Sequence, residues 1–183
     1  MYSHNIDDLG TPSNQNDLST LRGSSTIDVR HRFVASPVYE LPFGSGRAHA
    51  TTGLPSKVFG GWQLSALIQL QTGNALTPTL NGNFSNTAST NDRPDVYSDP
   101  NENAPHTVDQ WFNTAAFLPL RPANGAAGAT YSFGNAGKGI IKTPGLKTTD
   151  LSVVRSFQVR EQVKVQFRGE FFNLFNHTNF NFP

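Results

Sequence analysis

The sequence predicts an all-β, antiparallel fold, and three features carry that prediction. Four segments alternate apolar and polar residues with a period of two, which places successive side chains on opposite faces of a strand. Each run is about as long as the ~9 to 11 residues that a tilted strand needs to cross a hydrocarbon layer, and longer than the ~5 to 6 typical of soluble strands. The connections are uneven, with short turns at one end and one very long loop at the other.

Taken in order, residues 1–25 are expected to form a loop and residues 26–42 the first main strand. There, His31, Phe33, Ala35, Pro37, Tyr39 and Leu41 oppose Arg30, Arg32, Val34, Ser36, Val38 and Glu40. Leu41-Pro42-Phe43-Gly44-Ser45-Gly46 and the stretch to Gly61 make a moderate connection. The second strand, 60–77, is the cleanest: Trp62, Leu64, Ala66, Ile68 and Leu70 oppose Gln63, Ser65, Leu67, Gln69 and Gln71, with Leu67 the single misfit. Residues 78–147 are rich in Gly, Asn, Pro and Thr and form a loop far longer than the ~12 to 15 residues of an ordinary connection. Within it, Thr107 is placed to cap a short helix or turn, with Trp111, Phe112 and Phe117 as anchors. The third strand, 148–159, sets Leu151, Val153, Phe157 and Val159 against Asp150, Ser152, Val154, Ser156 and Gln158, with Arg155 the exception on the apolar side. The stretch from Val159 to Gln162 suits a tight hairpin. In the fourth strand, 162–176, Val163, Val165, Phe167, Gly169 and Phe171 oppose Lys164, Gln166, Arg168, Glu170 and Phe172.

Composition narrows the function classes. A hydrophobic content of 36% with 16 Gly and 12 Pro in 183 residues leaves little for a thick soluble core. A net charge of +1 without a basic run or an aromatic RNA-binding box argues against nucleic acid as a partner. The absence of cysteine excludes a disulfide framework and Cys-based zinc sites. Val58 to Asn91 is uncharged, but its Gln, Ser, Thr and Asn keep it short of the ~18 consecutive apolar residues of a membrane helix. The start, Met1-Tyr2-Ser3-His4-Asn5 followed by Asp7-Asp8, has neither the basic nor the apolar region of a secretory signal.

Candidate chemistry is sparse. The five histidines, His4, His31, His49, His106 and His177, are widely separated and suggest no metal site. Gly134-Asn135-Ala136-Gly137-Lys138-Gly139 has the look of a phosphate loop, but Ile140 and Ile141 follow where Ser or Thr and a helix are needed, so it reads as a glycine turn. No Gly-x-Ser-x-Gly elbow accompanies the serines, and Ser65 falls in a strand. No enzyme and no cofactor are expected. By alternation alone, the strands fit a membrane barrel and a half-buried sheet of a soluble β-sandwich equally.

The alternatives are separated by a resemblance. Asp28-Val29-Arg30-His31-Arg32-Phe33, Tyr39-Glu40-Leu41-Pro42-Phe43-Gly44, Gly60-Gly61-Trp62-Gln63-Leu64-Ser65 and Phe167-Arg168-Gly169-Glu170-Phe171-Phe172-Asn173-Leu174-Phe175-Asn176-His177 resemble the C-terminal barrel of TonB-dependent receptors that carry an N-terminal carboxypeptidase-regulatory-like domain. Trp111-Phe112-Asn113-Thr114-Ala115-Ala116-Phe117, Gly134-Asn135-Ala136-Gly137, Pro144-Gly145 and Asp150-Leu151-Ser152 continue the match in order, and Ser3-His4-Asn5-Ile6-Asp7-Asp8 is similar to the end of a preceding strand. The resemblance implies an antiparallel transmembrane β-barrel fragment, an open curved sheet of about four to six strands with one long, extracellular loop. The chain departs from the family's plan and is expected to be a partial segment, ending at Phe182-Pro183 before the final strand, with plug and signal peptide absent. The implied function is uptake of a solute across the outer membrane of a Gram-negative-type bacterium. The implied partners are outer-membrane lipid, the rest of the barrel and its plug, and, through missing parts, the periplasmic TonB motor. On this reading Arg30, Arg32, Glu40, Asp150, Lys164, Arg168 and Glu170 face the lumen, where they pair across strands before they serve any solute. A soluble carbohydrate-binding β-sandwich is the alternative function.

Overall fold

A computed structural model describes residues 1–10, 12, 14–49, 52–87, 92–118 and 133–181. The parts of the long loop at 88–91 and 119–132, and the chain end at 182–183, lie outside the described residues. The chain divides into two compact units, one of Met1–Arg32, Gln71–Leu146 and Asn179–Pro183, the other of Phe33–Leu70 and Lys147–Thr178.

The second unit holds nearly all of a five-stranded sheet. Its strands are β3 (Arg32–Ala35), β4 (Val38–Glu40), β5 (Trp62–Gln71), β8 (Leu146–Arg160) and β9 (Val163–Phe171). The order is β3-β5-β8-β9, and β4 also pairs with β5. Not one residue of these strands is buried. Every side chain of these strands is exposed or half-exposed, whereas the strands of a soluble sandwich bury every second one.

Register follows the period-two pattern. Tyr39 stands opposite Leu64 and Glu40 opposite Gln63. Val153 faces Gly169, Arg155 faces Phe167 and Phe157 faces Val165 on one side of the β8–β9 hairpin; Ser152 faces Glu170, Val154 faces Arg168 and Gln158 faces Lys164 on the other. Beyond Gln158 the register shifts by one before Arg160 meets Val163, a bulge that leads into the Glu161–Gln162 turn. Trp62 meets the Phe167 ring edge-on at 6.0 Å, so the apolar rows of β5 and β9 share one face.

Strand ends differ from the sequence expectation for local reasons. The 26–42 strand is present as β3 and β4 only. Its first residues form a turn at Thr26–Ile27, because the Ser25 hydroxyl and carbonyl accept the amides of Ile27 and Asp28. Pro37, with no N–H to give, interrupts the rest, although its carbonyl still accepts from Ala66 at 3.0 Å and the pairing resumes at Val38 opposite Ser65. The 60–77 strand stops at Gln71, since Gly73 is pressed so closely on the Thr143 carbonyl that a Cβ would lie 1.7 Å from it. The 162–176 strand stops at Phe171, just before Asn173 turns into the left-handed region (φ 46°) and bonds through its side chain to both backbone groups of His177.

The 42–61 connection contains a helix that the sequence did not signal, α1 (Gly53–Phe59). Seven residues are too few for a helical period to show. Pro55 sits in its first turn, where a missing N–H costs nothing, and the Gly60 amide closes it on the Ser56 carbonyl. A Cβ on Gly60 would lie 2.4 Å from that carbonyl and 2.9 Å from Gly44 Cα, so the two glycines permit a backbone approach that no other residue allows.

The first unit is built from loops and two small sheets. β1 (Ile6–Asp7) pairs antiparallel with β2 (Gly23–Ser24), and β6 (Ala75–Leu76) with β7 (Ile141–Lys142). The expected loops at 1–25 and 78–147 therefore contain short strands, and a 3-10 turn at Thr114–Ala116 is capped by the Asn113 side chain. Thr107 Oγ1 accepts from the Gln110 amide in a turn without helix. Trp111 anchors the region, donating from Nε1 to the Lys142 carbonyl (2.9 Å) and meeting the His106 ring edge-on and the Phe180 ring at a tilt. The buried hydrophobic residues of the described chain, Ala75, Ala116, Ala136 and Ile141, all lie in this unit.

Candidate functional site

Two polar constellations emerge, one in each unit. On the sheet, the alternation carries Lys164, Arg168 and Glu170 of β9 to the same side as Ser152, Ser156 and Gln158 of β8. Arg168 Nη2 donates to Glu170 Oε1 at 2.5 Å along one strand, and Gln166 Nε2 donates to Ser156 Oγ at 3.2 Å across the pair. Glu40, opposite Gln63, is ion-paired with Arg47 of the following connection. Asp150 accepts the Asn173 amide at 2.8 Å and so ties down the turn after β9. These groups are half-exposed or exposed, and neighbours neutralise several of them, as suits side chains facing water.

The opposite face is apolar and open. Phe33, Tyr39, Phe167 and Phe171 each leave more than half of their surface exposed. Arg155, the exception in sequence, lies over the rings of Trp62 (5.4 Å) and Phe157 (5.6 Å) and donates from Nη2 to the Lys57 carbonyl. Its charge is held by aromatic faces and a helix carbonyl instead of a carboxylate.

Arg32 opens β3 with an exposed side chain. Arg30 falls before that strand, in the first unit. Its Nε lies 3.4 Å from Asp28 Oδ2 and its Nη2 lies 3.0 Å from His4 Nε2, while the buried Asp28 also accepts the Asn5 amide. Arg30 is therefore a clamp on its own loop. The five histidines go to different places: His31 packs at a tilt against Tyr2, His49 at a tilt against Phe43 and His106 edge-on against Trp111. Among the described residues no group of three His, Cys, Asp or Glu side chains is placed to hold a metal ion. No described helix is long and apolar enough to cross a membrane.

Charges that the sequence reading passed over dominate the interior of the first unit. Lys138, buried, pairs with Asp7 and also reaches the Leu9 carbonyl. Asp92 accepts the amide and hydroxyl of Ser85 at 2.7 and 2.8 Å. Arg93, also buried, donates from Nη1 to the carbonyls of Thr20 and Ala136. The partners are up to 131 residues apart, so no local spacing reveals them. Gly134 to Gly139 ends in a turn with Gly139 at φ +66°, followed by β7 and no helix, which agrees with a glycine turn.

An antiparallel sheet with one face apolar except for Arg155 and open among the described residues, and the other polar and charged, is what the wall of a β-barrel in lipid requires. The chain matches the family described as outer membrane beta barrel domain over residues 1–183, and it belongs to that family. It is thus part of an outer-membrane barrel protein. No curated protein and no solved structure matches it.

Proposed function

We propose that this chain is part of the barrel of a TonB-dependent transporter in the outer membrane of a Gram-negative-type bacterium, where it takes up a solute without catalysing a reaction. The observation that carries this reading is the two-faced sheet. Its apolar rows on β5 and β9 suit acyl chains, and Glu40, Asp150, Lys164, Arg168 and Glu170 supply a wet, largely neutralised lumenal face against which a plug can move. The ordered motif resemblance to receptors of this kind supports it. On this reading Arg32 belongs to the same lumenal set, whereas Arg30 serves the loop unit. Partners are outer-membrane lipid, the remaining barrel and plug, and the TonB motor.

Three measurements on the full-length protein test it. Fractionation is expected to place it in the outer membrane with heat-modifiable migration. Site-directed cross-linking is expected to trap it with TonB in cells, and solute accumulation should cease when the proton gradient is collapsed. A heat-modifiable barrel that neither cross-links to TonB nor loses uptake on de-energisation would reduce the reading to a passive pore or an adhesin.

A further inference from the structure

The cavity between the β1–β2 segment and the turn at Lys138–Gly139 lies wholly within the first unit and has a volume of about 420 Å³. That is within the ~300 to 1,000 Å³ of small-molecule sites. Asp7, Lys138 and Arg93 line it together with Thr77 and Thr79. Asp7 and Lys138 neutralise each other. Arg93 is different: only 7% exposed, its guanidinium meets two backbone carbonyls, and among the described residues no carboxylate lies within 4.0 Å of it. The wall therefore carries one buried positive charge that no described carboxylate meets in an ion pair. Burial without a paired carboxylate is unfavourable for a guanidinium and lowers its pKa, and an anion in the cavity that Arg93 lines would relieve that cost.

We propose that this cavity binds a small hydroxylated carboxylate, a sugar acid of hexuronate size, with Arg93 taking the carboxylate. One net positive charge matches one negative charge, and a guanidinium offers the fork geometry that a carboxylate accepts. The hydroxyls of Thr77 and Thr79 meet a polyol, while Leu9 and Ile27, exposed at 75% and 70%, supply apolar surface for the C–H face of a pyranose ring. The inference rests on the uptake reading, of which it names the solute class, but binding is measurable without uptake.

The test is calorimetric titration of the full-length protein in detergent with glucuronate, glucose and inorganic phosphate. Saturable glucuronate binding is expected, with glucose weaker by about tenfold to a hundredfold because it lacks the charge-assisted bond. Arg93→Gln should lose binding by a similar factor. Because Arg93 also holds two loop carbonyls, Thr79→Trp serves as the second variant: it fills the mouth from an exposed position, leaves those bonds in place, and should abolish binding with heat-modifiable migration retained. No glucuronate binding to the folded wild type, equal binding of glucose, phosphate binding tighter than glucuronate, or full binding by Thr79→Trp would each overturn the site. None of these results bears on TonB cross-linking or energised uptake, so the transport reading stands or falls separately.

Discussion

Single side chains show how strongly the period of two governs this protein. Ile68 lies in the apolar row of β5 with Trp62 and Leu64, and Gln69 lies in the row of Gln63, which faces Glu40. In the intact barrel, Ile68→Arg should cost roughly 2 to 4 kcal/mol near the bilayer midplane, while Gln69→Arg should be nearly neutral because its side chain meets water. Denaturant titrations of both variants in lipid vesicles measure the difference, and equal costs would mean that the faces are assigned wrongly. Asp7 makes a second prediction. The bond from Lys138, with that from the Ser25 hydroxyl, holds its carboxyl below the ordinary 3.8. A carboxylate with a depressed folded pKa stabilises above its unfolded value, and that contribution fades as the pH drops below 3.8 through the folded value. The Gly139 amide, bonded to Thr77 Oγ1, should lose exchange protection over that interval, and Asp7→Asn should remove the pH dependence of this loss.

Among the elements, the split between β3 and β4 isolates the effect of one missing N–H. Opposite Pro37, Ala66 still donates to the proline carbonyl, and Leu41 donates to the Trp62 carbonyl further on, so the ladder continues with one bond absent. Pro37→Ala restores that donor, worth about 0.5 to 1.5 kcal/mol net. It also loosens the unfolded chain, which costs about 0.4 to 1 kcal/mol. The two nearly cancel. Stability should therefore change by less than about 1 kcal/mol while position 37 gains a slowly exchanging amide. A fast-exchanging amide there would show that the break has another cause. The β8–β9 hairpin needs no such repair: its register runs from Leu151 opposite Phe171 to Arg160 opposite Val163, with one bulge near the turn.

For the whole molecule, the decisive fact is that among the described residues the sheet has an exposed apolar face and that its strand order ends at β3 and β9. In lipid, each unpaired backbone group costs several kcal/mol, so closure by further strands is required. The full-length protein should gain β-sheet circular dichroism and protease resistance only with lipid or detergent. The 183-residue chain by itself should stay aggregated or disordered in both. A monomer of this chain that unfolds cooperatively in plain buffer would contradict the barrel assignment, because a strip of wall has no second layer in which to bury its apolar rows.

Alternation along the chain was enough to place the strands of the five-stranded sheet, its two faces and the antiparallel hairpin, but not the short strands β1, β2, β6 and β7, because a strand sends successive side chains to opposite sides whatever surrounds it and two residues are too few to show that period. The aromatic and glycine motifs around Phe43-Gly44 and Gly60-Gly61-Trp62 were legible as a resemblance, and their close backbone approach gives the physical basis. Strand ends were only partly legible, since they depend on Ser25, Pro37, Gly73 and Asn173 meeting particular partners. The ionic interior of the first unit was not legible at all. Asp7 finds Lys138, and Arg93 finds Thr20 and Ala136, across long stretches of chain with no periodic pattern. A buried charge is defined by what surrounds it, and only the tertiary structure brings those surroundings together.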